Sequence, residues 1–143
     1  MANVAFIGLG VMGFPMAGHL TKAHKVMVYN RSPARAAAWV EKYGNTSAPT
    51  PAAASRGAEI VFVCVGDDPD LRQVITGKDG VLDGIAKGAV IVDHTTASAD
   101  IARELSALST EKGVGFIDAP VSGGQAGAEN GQLTVMCLSL IHI

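Results

Sequence analysis

Asn3-Val4-Ala5-Phe6-Ile7-Gly8-Leu9-Gly10-Val11-Met12-Gly13 opens the chain as a continuous apolar run that breaks into a G-x-G-x-x-G turn. A strand buried on both faces reads this way, without polar alternation. A helical stretch follows, and Val26-Met27-Val28-Tyr29 reads as a second strand lying beside the first. Strand, glycine turn, helix and strand in that order are what a dinucleotide-binding unit requires. Gly8 permits the tight turn, and Gly10 lets backbone N–H groups approach a pyrophosphate with no Cβ in the way. Gly13 allows the helix to pack closely on the strand with its positive dipole end toward the anion. Leu9, Val11 and Met12 complete the predicted phosphate turn. Glycine is frequent here, 17 of 143 residues, so spacing alone carries little weight. The flanking strands and helix carry the argument.

Further along, the alternation continues. Pro33 to Tyr43 reads as a helix with Ser32 as N-cap and Gly44 as terminator. A short strand is expected near Thr46–Ala48 and a brief helix over Pro51–Arg56. Strands are predicted at Ile60–Val65, Ala89–Asp93 and Val114–Asp118. Helices are predicted over Pro69–Ile75 and Asp100–Lys112, with a loop punctuated by Gly77, Gly80 and Gly84 before the fifth strand. Apolar strands alternating with helices call for an α/β fold, a Rossmann-type doubly wound parallel sheet with right-handed crossovers.

Bulk properties narrow the function classes. The chain is 48% hydrophobic and 17% charged, with a formal net charge of −2 and no lysine or arginine run. No nucleic-acid partner is expected, because backbone phosphates demand a concentrated basic face. Cys64 and Cys137 make neither a disulfide framework nor a metal cluster, and Cys64 reads as a small buried hydrophobe. With no basic leader and no apolar stretch of spanning length, the expectation is no membrane partner and a reduced, cytoplasmic setting.

Two constellations point to chemistry. Where NAD-binding folds carry an acidic residue for the ribose 2′-hydroxyl, this chain has Asn30-Arg31-Ser32. A guanidinium and a hydroxyl suit a 2′-phosphate, so NADP is expected in preference to NAD, with Arg31 the main determinant. A plain surface arginine at a strand end is the competing explanation. The second constellation is Asp118-Ala119-Pro120-Val121-Ser122-Gly123-Gly124, at the carboxyl end of the sixth strand. Its hydroxyl and glycine amides suit a small carboxylate, though a flexible glycine loop explains the spacing equally well.

His94 is better explained by local packing at a strand end than by acid–base work. His19 and His24 lack a metal-ligand spacing. Asp67, Asp68 and Asp70 surround Pro69 as a capped helix start. Met16 reads as core. Ser122 lacks the G-x-S-x-G elbow of a hydrolase.

Taken together, Gly8 to Ala17, Asp93-His94-Thr95-Thr96 and Asp118 to Gly124 resemble the N-terminal domain of the β-hydroxyacid dehydrogenases. That is the family of 3-hydroxyisobutyrate dehydrogenase, tartronate semialdehyde reductase and the glyoxylate/succinic semialdehyde reductases. The resemblance runs from Asn3 to about Met136. It implies hydride transfer between NAD(P) and a short 3-hydroxy acid or its semialdehyde. It implies Val65 and Gly66 over the cofactor, Thr96 near the nicotinamide ribose, and Asp70 within approach. It implies Ser122, Gly123 and Gly124 at the substrate carboxylate. The proton-transfer lysine it implies falls on a helix after this domain and has no counterpart here, so no catalytic residue is assigned. Residues 1–137 are expected to form the NAD(P)-binding domain, truncated before an all-α C-terminal domain, with a homo-oligomer for the full-length protein. Residues 138–143 look like a translated transposon end and are expected to be a non-native tail, a genuine hydrophobic C-terminal strand being the alternative. These residues alone are expected to bind cofactor with negligible turnover. A non-catalytic dinucleotide-binding module and an imine-reductase-type enzyme are the alternatives.

Overall fold

The structure is a computed structural model and describes residues 2–135. The elements in chain order are β1 (Asn3–Ile7), α1 (Gly13–Leu20), β2 (Lys25–Tyr29), α2 (Pro33–Tyr43), β3 (Thr46–Ser47), α3 (Pro51–Ser55), β4 (Ile60–Val63) and α4 (Asp68–Thr76). They continue with α5 (Val81–Gly84), β5 (Val90–Asp93), α6 (Ala99–Glu111), β6 (Gly115–Asp118), β7 (Val121–Ser122), α7 (Gly124–Glu129) and β8 (Thr134–Val135). β1 to β6 form one parallel sheet in the order β3-β2-β1-β4-β5-β6. The order reverses direction at β1 and β4, and the crevice outside their carboxyl ends is where open α/β sheets take ligands.

The apolar runs earn their burial on both faces. Phe6 and Val4 point into a cluster with Val26, Val28 and Trp39 under α1 and α2. Ala5 and Ile7 point the other way, joining Val61, Val63, Leu71, Ile75, Ile91, Ile101 and Leu105 under α4 and α6. Each fully buried large side chain stabilises the fold by about 1.5–3 kcal/mol. Trp39 Nε1 donates to Phe14 O at 3.2 Å, fastening α2 to α1. Gly44, at φ 75°, ends α2 with its N–H on Val40 O at 2.8 Å. No helix among the described residues is long and apolar enough to cross a membrane.

Several expectations need correction. The fourth strand ends at Val63, not Val65. Cys64 N still reaches Ile7 O at 2.9 Å, but β1 then turns away at Gly8 and Val65 N bonds Thr95 Oγ1 at 3.1 Å instead. The glycine-punctuated loop contains the one-turn helix α5. The stretch after Ser122 is ordered and is not an open glycine loop. Gly123 and Gly124, at φ 129° and 62°, reverse the chain into α7, and β8 returns antiparallel on β7. The six-residue tail and Cys137 lie outside the described residues.

Candidate functional site

A groove of about 530 Å³ opens at the carboxyl ends of β1, β2 and β4. Its floor is the glycine turn. Gly8 sits at φ 103°, and a Cβ there would collide with Cys64 O. A Cβ at Gly13 would collide with Gly8 O, so α1 begins as close to β1 as a backbone allows. A Cβ at Gly10 would meet nothing within 4 Å; it would stand in the open groove.

The backbone amides of the turn divide into two sets. Gly8 N donates to Tyr29 O at 2.9 Å, and Leu9 N donates to Asn30 Oδ1 at 3.0 Å. Leu9 O accepts from Arg35 Nε at 2.7 Å, and the Leu9 side chain is buried in the core. Leu9 lines the groove with its N–H and C=O already engaged, so it offers no free main-chain donor there. The N–H groups of Gly10, Val11, Met12 and Gly13 have no acceptor among the described residues. They lie at the positive end of α1, where orphan donors favour an anion. This chemistry fits a diphosphate.

Beyond β2, Asn30, Arg31 and Ser32 form one wall. Ser32 occupies the N-cap position of α2, yet its hydroxyl makes no capping bond, and the expected capping role is not fulfilled. Pro33, which lacks an N–H, lowers the demand for that cap. The opposite wall is Val65, Gly66 and one face of α4: Asp70, Gln73 and Val74. Asp67 caps α4 by accepting from Asp70 N at 3.0 Å. Asp68 accepts from Ser98 N at 2.9 Å and from Ser98 Oγ at 2.5 Å, and these bonds hold its carboxyl below the ordinary carboxylate range. Arg72 makes a forked pair with Glu104 at 2.8 and 3.2 Å, so the first residue and the middle of α4 are tied to the N-cap and the middle of α6. Arg31 Nη1 reaches across to Asp70 Oδ1 at 3.7 Å.

The groove thus gathers every predicted cofactor residue except Thr96, which is exposed and does not line it. Thr96 follows a tightly bound turn. Asp93 Oδ1 accepts from Thr95 N at 2.9 Å, and Thr95 Oγ1 in turn holds the Val65 amide. Asp93 is buried with Oδ2 unpartnered, and burial pushes its carboxyl up to about 6. His94 stacks on Phe62 and bonds Ala119 O through Nδ1 at 2.7 Å; burial lowers its pKa. That is packing, as expected. Cys64 is half-buried, and burial, aided by Asp93, pushes its thiol up to about 11, leaving it inert.

Ser122, Gly123 and Gly124 are exposed and lie outside the groove. His19 Nε2 donates to Ala128 O at 2.9 Å and Glu129 O at 3.1 Å, joining the end of α7 to α1. The sequence reading missed this link, as well as Arg35, Gln73 and Val74. Arg35 stacks 4.2 Å over Phe14 while gripping the Leu9 carbonyl. A cation in the first turn of a helix opposes the dipole, a sign of recruitment elsewhere. Gln73 and Val74 follow Asp70 at three and four residues, the spacing of one helical face.

The model for the NAD binding domain of 6-phosphogluconate dehydrogenase matches residues 3–138. An uncharacterized oxidoreductase of Shewanella frigidimarina is 64% identical over 137 residues, covering 95% of this chain and 47% of that protein. The 3-hydroxyisobutyrate dehydrogenase of Mycobacterium tuberculosis, solved with L-serine, superposes at a TM-score of 0.89. It is 31% identical, over 96% of this chain and 46% of that one. Psf3, solved in complex with NADP+ and 2-OPP, gives a TM-score of 0.86 at 32% identity, over 94% of this chain and 48% of that one. The chain spans about half the length of the curated relatives it matches.

Proposed function

Because the chain belongs to the family of the NAD binding domain of 6-phosphogluconate dehydrogenase, among the 3-hydroxyisobutyrate dehydrogenase-like oxidoreductases, we propose that it holds NADP(H) for hydride exchange with a short 3-hydroxy acid. The observation that carries this reading is one groove with unused amides at Gly10–Gly13 on its floor and Arg31 with Ser32 on its wall.

In this reading the Gly10, Val11, Met12 and Gly13 amides hold the diphosphate, and α1 adds its dipole. Asn30 fixes the turn through Leu9 N and presents no carboxylate to a 2′-phosphate. Arg31 and Ser32 receive that phosphate. Val65 and Gly66, set by the Thr95 hydroxyl, close the opposite side. The coenzyme supplies the hydride chemistry when bound. Thr96 approaches its ribose, and Ser122, Gly123 and Gly124 take the substrate carboxylate, the part of this reading that leans most on the family.

Hydride exchange with an alcohol also needs a group to carry the hydroxyl proton. Among the described residues no lysine or histidine lines the groove. These residues alone are therefore expected to bind coenzyme with negligible turnover. A cytoplasmic homo-oligomer of the longer protein, acting on a small carboxylate, completes the proposal.

The test compares dissociation constants for NADP+ and NAD+. At least about tenfold tighter NADP+ is expected, and equal affinity overturns the preference. For the substrate class, a chain extended to the length of its relatives is screened with NADP+ and 3-hydroxyisobutyrate, glycerate and 4-hydroxybutyrate. Oxidation of none of them overturns that part.

A further inference from the structure

Asp70 is the one carboxylate lining the groove among the described residues, and it stands opposite the cation expected to select the coenzyme. Its Oδ1 lies 3.7 Å from Arg31 Nη1. Its Oδ2 faces Gly66, where a Cβ would come within 3.2 Å. The carboxylate is bracketed between the two walls.

The partners differ in freedom. The Arg31 side chain is 87% exposed and that of Asp70 40%. Asp70 rides on the first turn of α4, with its N–H bound to Asp67 Oδ1 and with α4 tied to Ser98 and Glu104. Arg31 can swing; the backbone under Asp70 is held.

We propose that Asp70 sets coenzyme choice by competing with a 2′-phosphate for Arg31, holding back a preference for the phosphorylated coenzyme that Asn30-Arg31-Ser32 alone would give. This rests on the groove being the dinucleotide site. A guanidinium offers the same donor fork to a carboxylate as to a phosphate, so the two anions are rivals for it. The resting pair, exposed and beyond hydrogen-bond length, is weak and yields to a ligand. The carboxylate then remains near the incoming phosphate as a like charge. A ribose 2′-hydroxyl is neutral and meets no such repulsion.

The experiment measures binding of NADP+, NAD+, adenosine 2′,5′-bisphosphate and 5′-AMP to the wild type, Asp70→Asn and Asp70→Ser, at low and high salt. Both variants are expected to bind NADP+ and the bisphosphate about 3–10-fold more tightly, with NAD+ and 5′-AMP unchanged, and the gain is expected to shrink at high salt. An Arg31→Ala background is expected to lose most of it. If the wild type binds NADP+ and the variants bind it equally or more weakly, the competition is overturned, and weaker binding would assign Asp70 to holding Arg31 in place. If the wild type binds none of the ligands, the reading of the groove itself falls.

Discussion

Replacing Asn30 separates the scaffold of the groove from its selectivity. Asn30 Oδ1 accepts the Leu9 N–H at 3.0 Å, and Leu9 is 1% exposed. Asn30→Ala leaves that donor without a partner beneath the turn. An unsatisfied donor of this kind costs about 1–3 kcal/mol. The second bond of Asn30, Nδ2 to Ser32 O at 3.3 Å, is exposed and adds little. Asn30→Asp keeps the acceptor and is expected to hold stability within about 1 kcal/mol of wild type. It also places a carboxylate where NAD-binding folds use one for the 2′-hydroxyl, so NAD+ should gain on NADP+. Urea unfolding gives the stabilities, and coenzyme titration gives the affinities. The expected pattern is a destabilised Ala variant with weaker binding of both coenzymes, and a stable Asp variant with inverted preference. An Ala variant as stable as wild type, or an Asp variant as damaged as Ala, refutes the role given to Asn30.

The remaining expectations touch other parts of the site. Arg31→Asp should weaken NADP+ by about tenfold or more and spare NAD+; unchanged preference in paired titrations removes Arg31 as determinant. Gly10→Val should abolish coenzyme binding while unfolding at the wild-type urea midpoint, because its side chain would enter open groove, whereas Gly13→Ala should lower the midpoint by forcing α1 off Gly8 O. Asp93 gives a pH signature. A carboxyl raised from 3.8 to about 6 in the fold binds protons more tightly there than in the unfolded chain. Its favourable contribution is therefore present below 3.8 and lost as pH rises through 6, about 3 kcal/mol in all. His94, lowered by burial, has the opposite slope below its ordinary 6.5, but Asp93→Asn shares it. The stability gap between Asp93→Asn and wild type should thus shrink as pH falls from 7 to 4; a constant gap would contradict the assignment.

The sheet was legible because its strands are apolar on both faces and its turns are marked by glycine and proline. Val4 and Phe6 pack one way while Ala5 and Ile7 pack the other, and that run needs no partner information to be recognised. The groove was legible where side-chain chemistry sits next to the glycine turn, as at Arg31 and Ser32. What escaped depends on contacts distant in sequence. Nothing near Leu9 announces that Asn30 and Arg35 occupy its N–H and C=O. His19 gives no local hint of the α7 carbonyls it meets 109 residues on. The strand at Ile60 is shorter than its apolar run because hydrophobicity continues through Cys64 and Val65, while its ladder ends where β1 bends away at Gly8. The β7–α7–β8 unit was hidden by its glycines, whose positive φ values direct a chain reversal that composition alone reads as a loop.

Amide chemical shifts of the isotopically labelled protein during NADPH addition test the central assignment most directly. The Gly10, Val11, Met12 and Gly13 resonances should move most and saturate together, with those of Gly8 and Leu9, already bonded to Tyr29 and Asn30, moving less. Saturable shifts centred elsewhere, or none at all, would contradict a diphosphate seated on that turn.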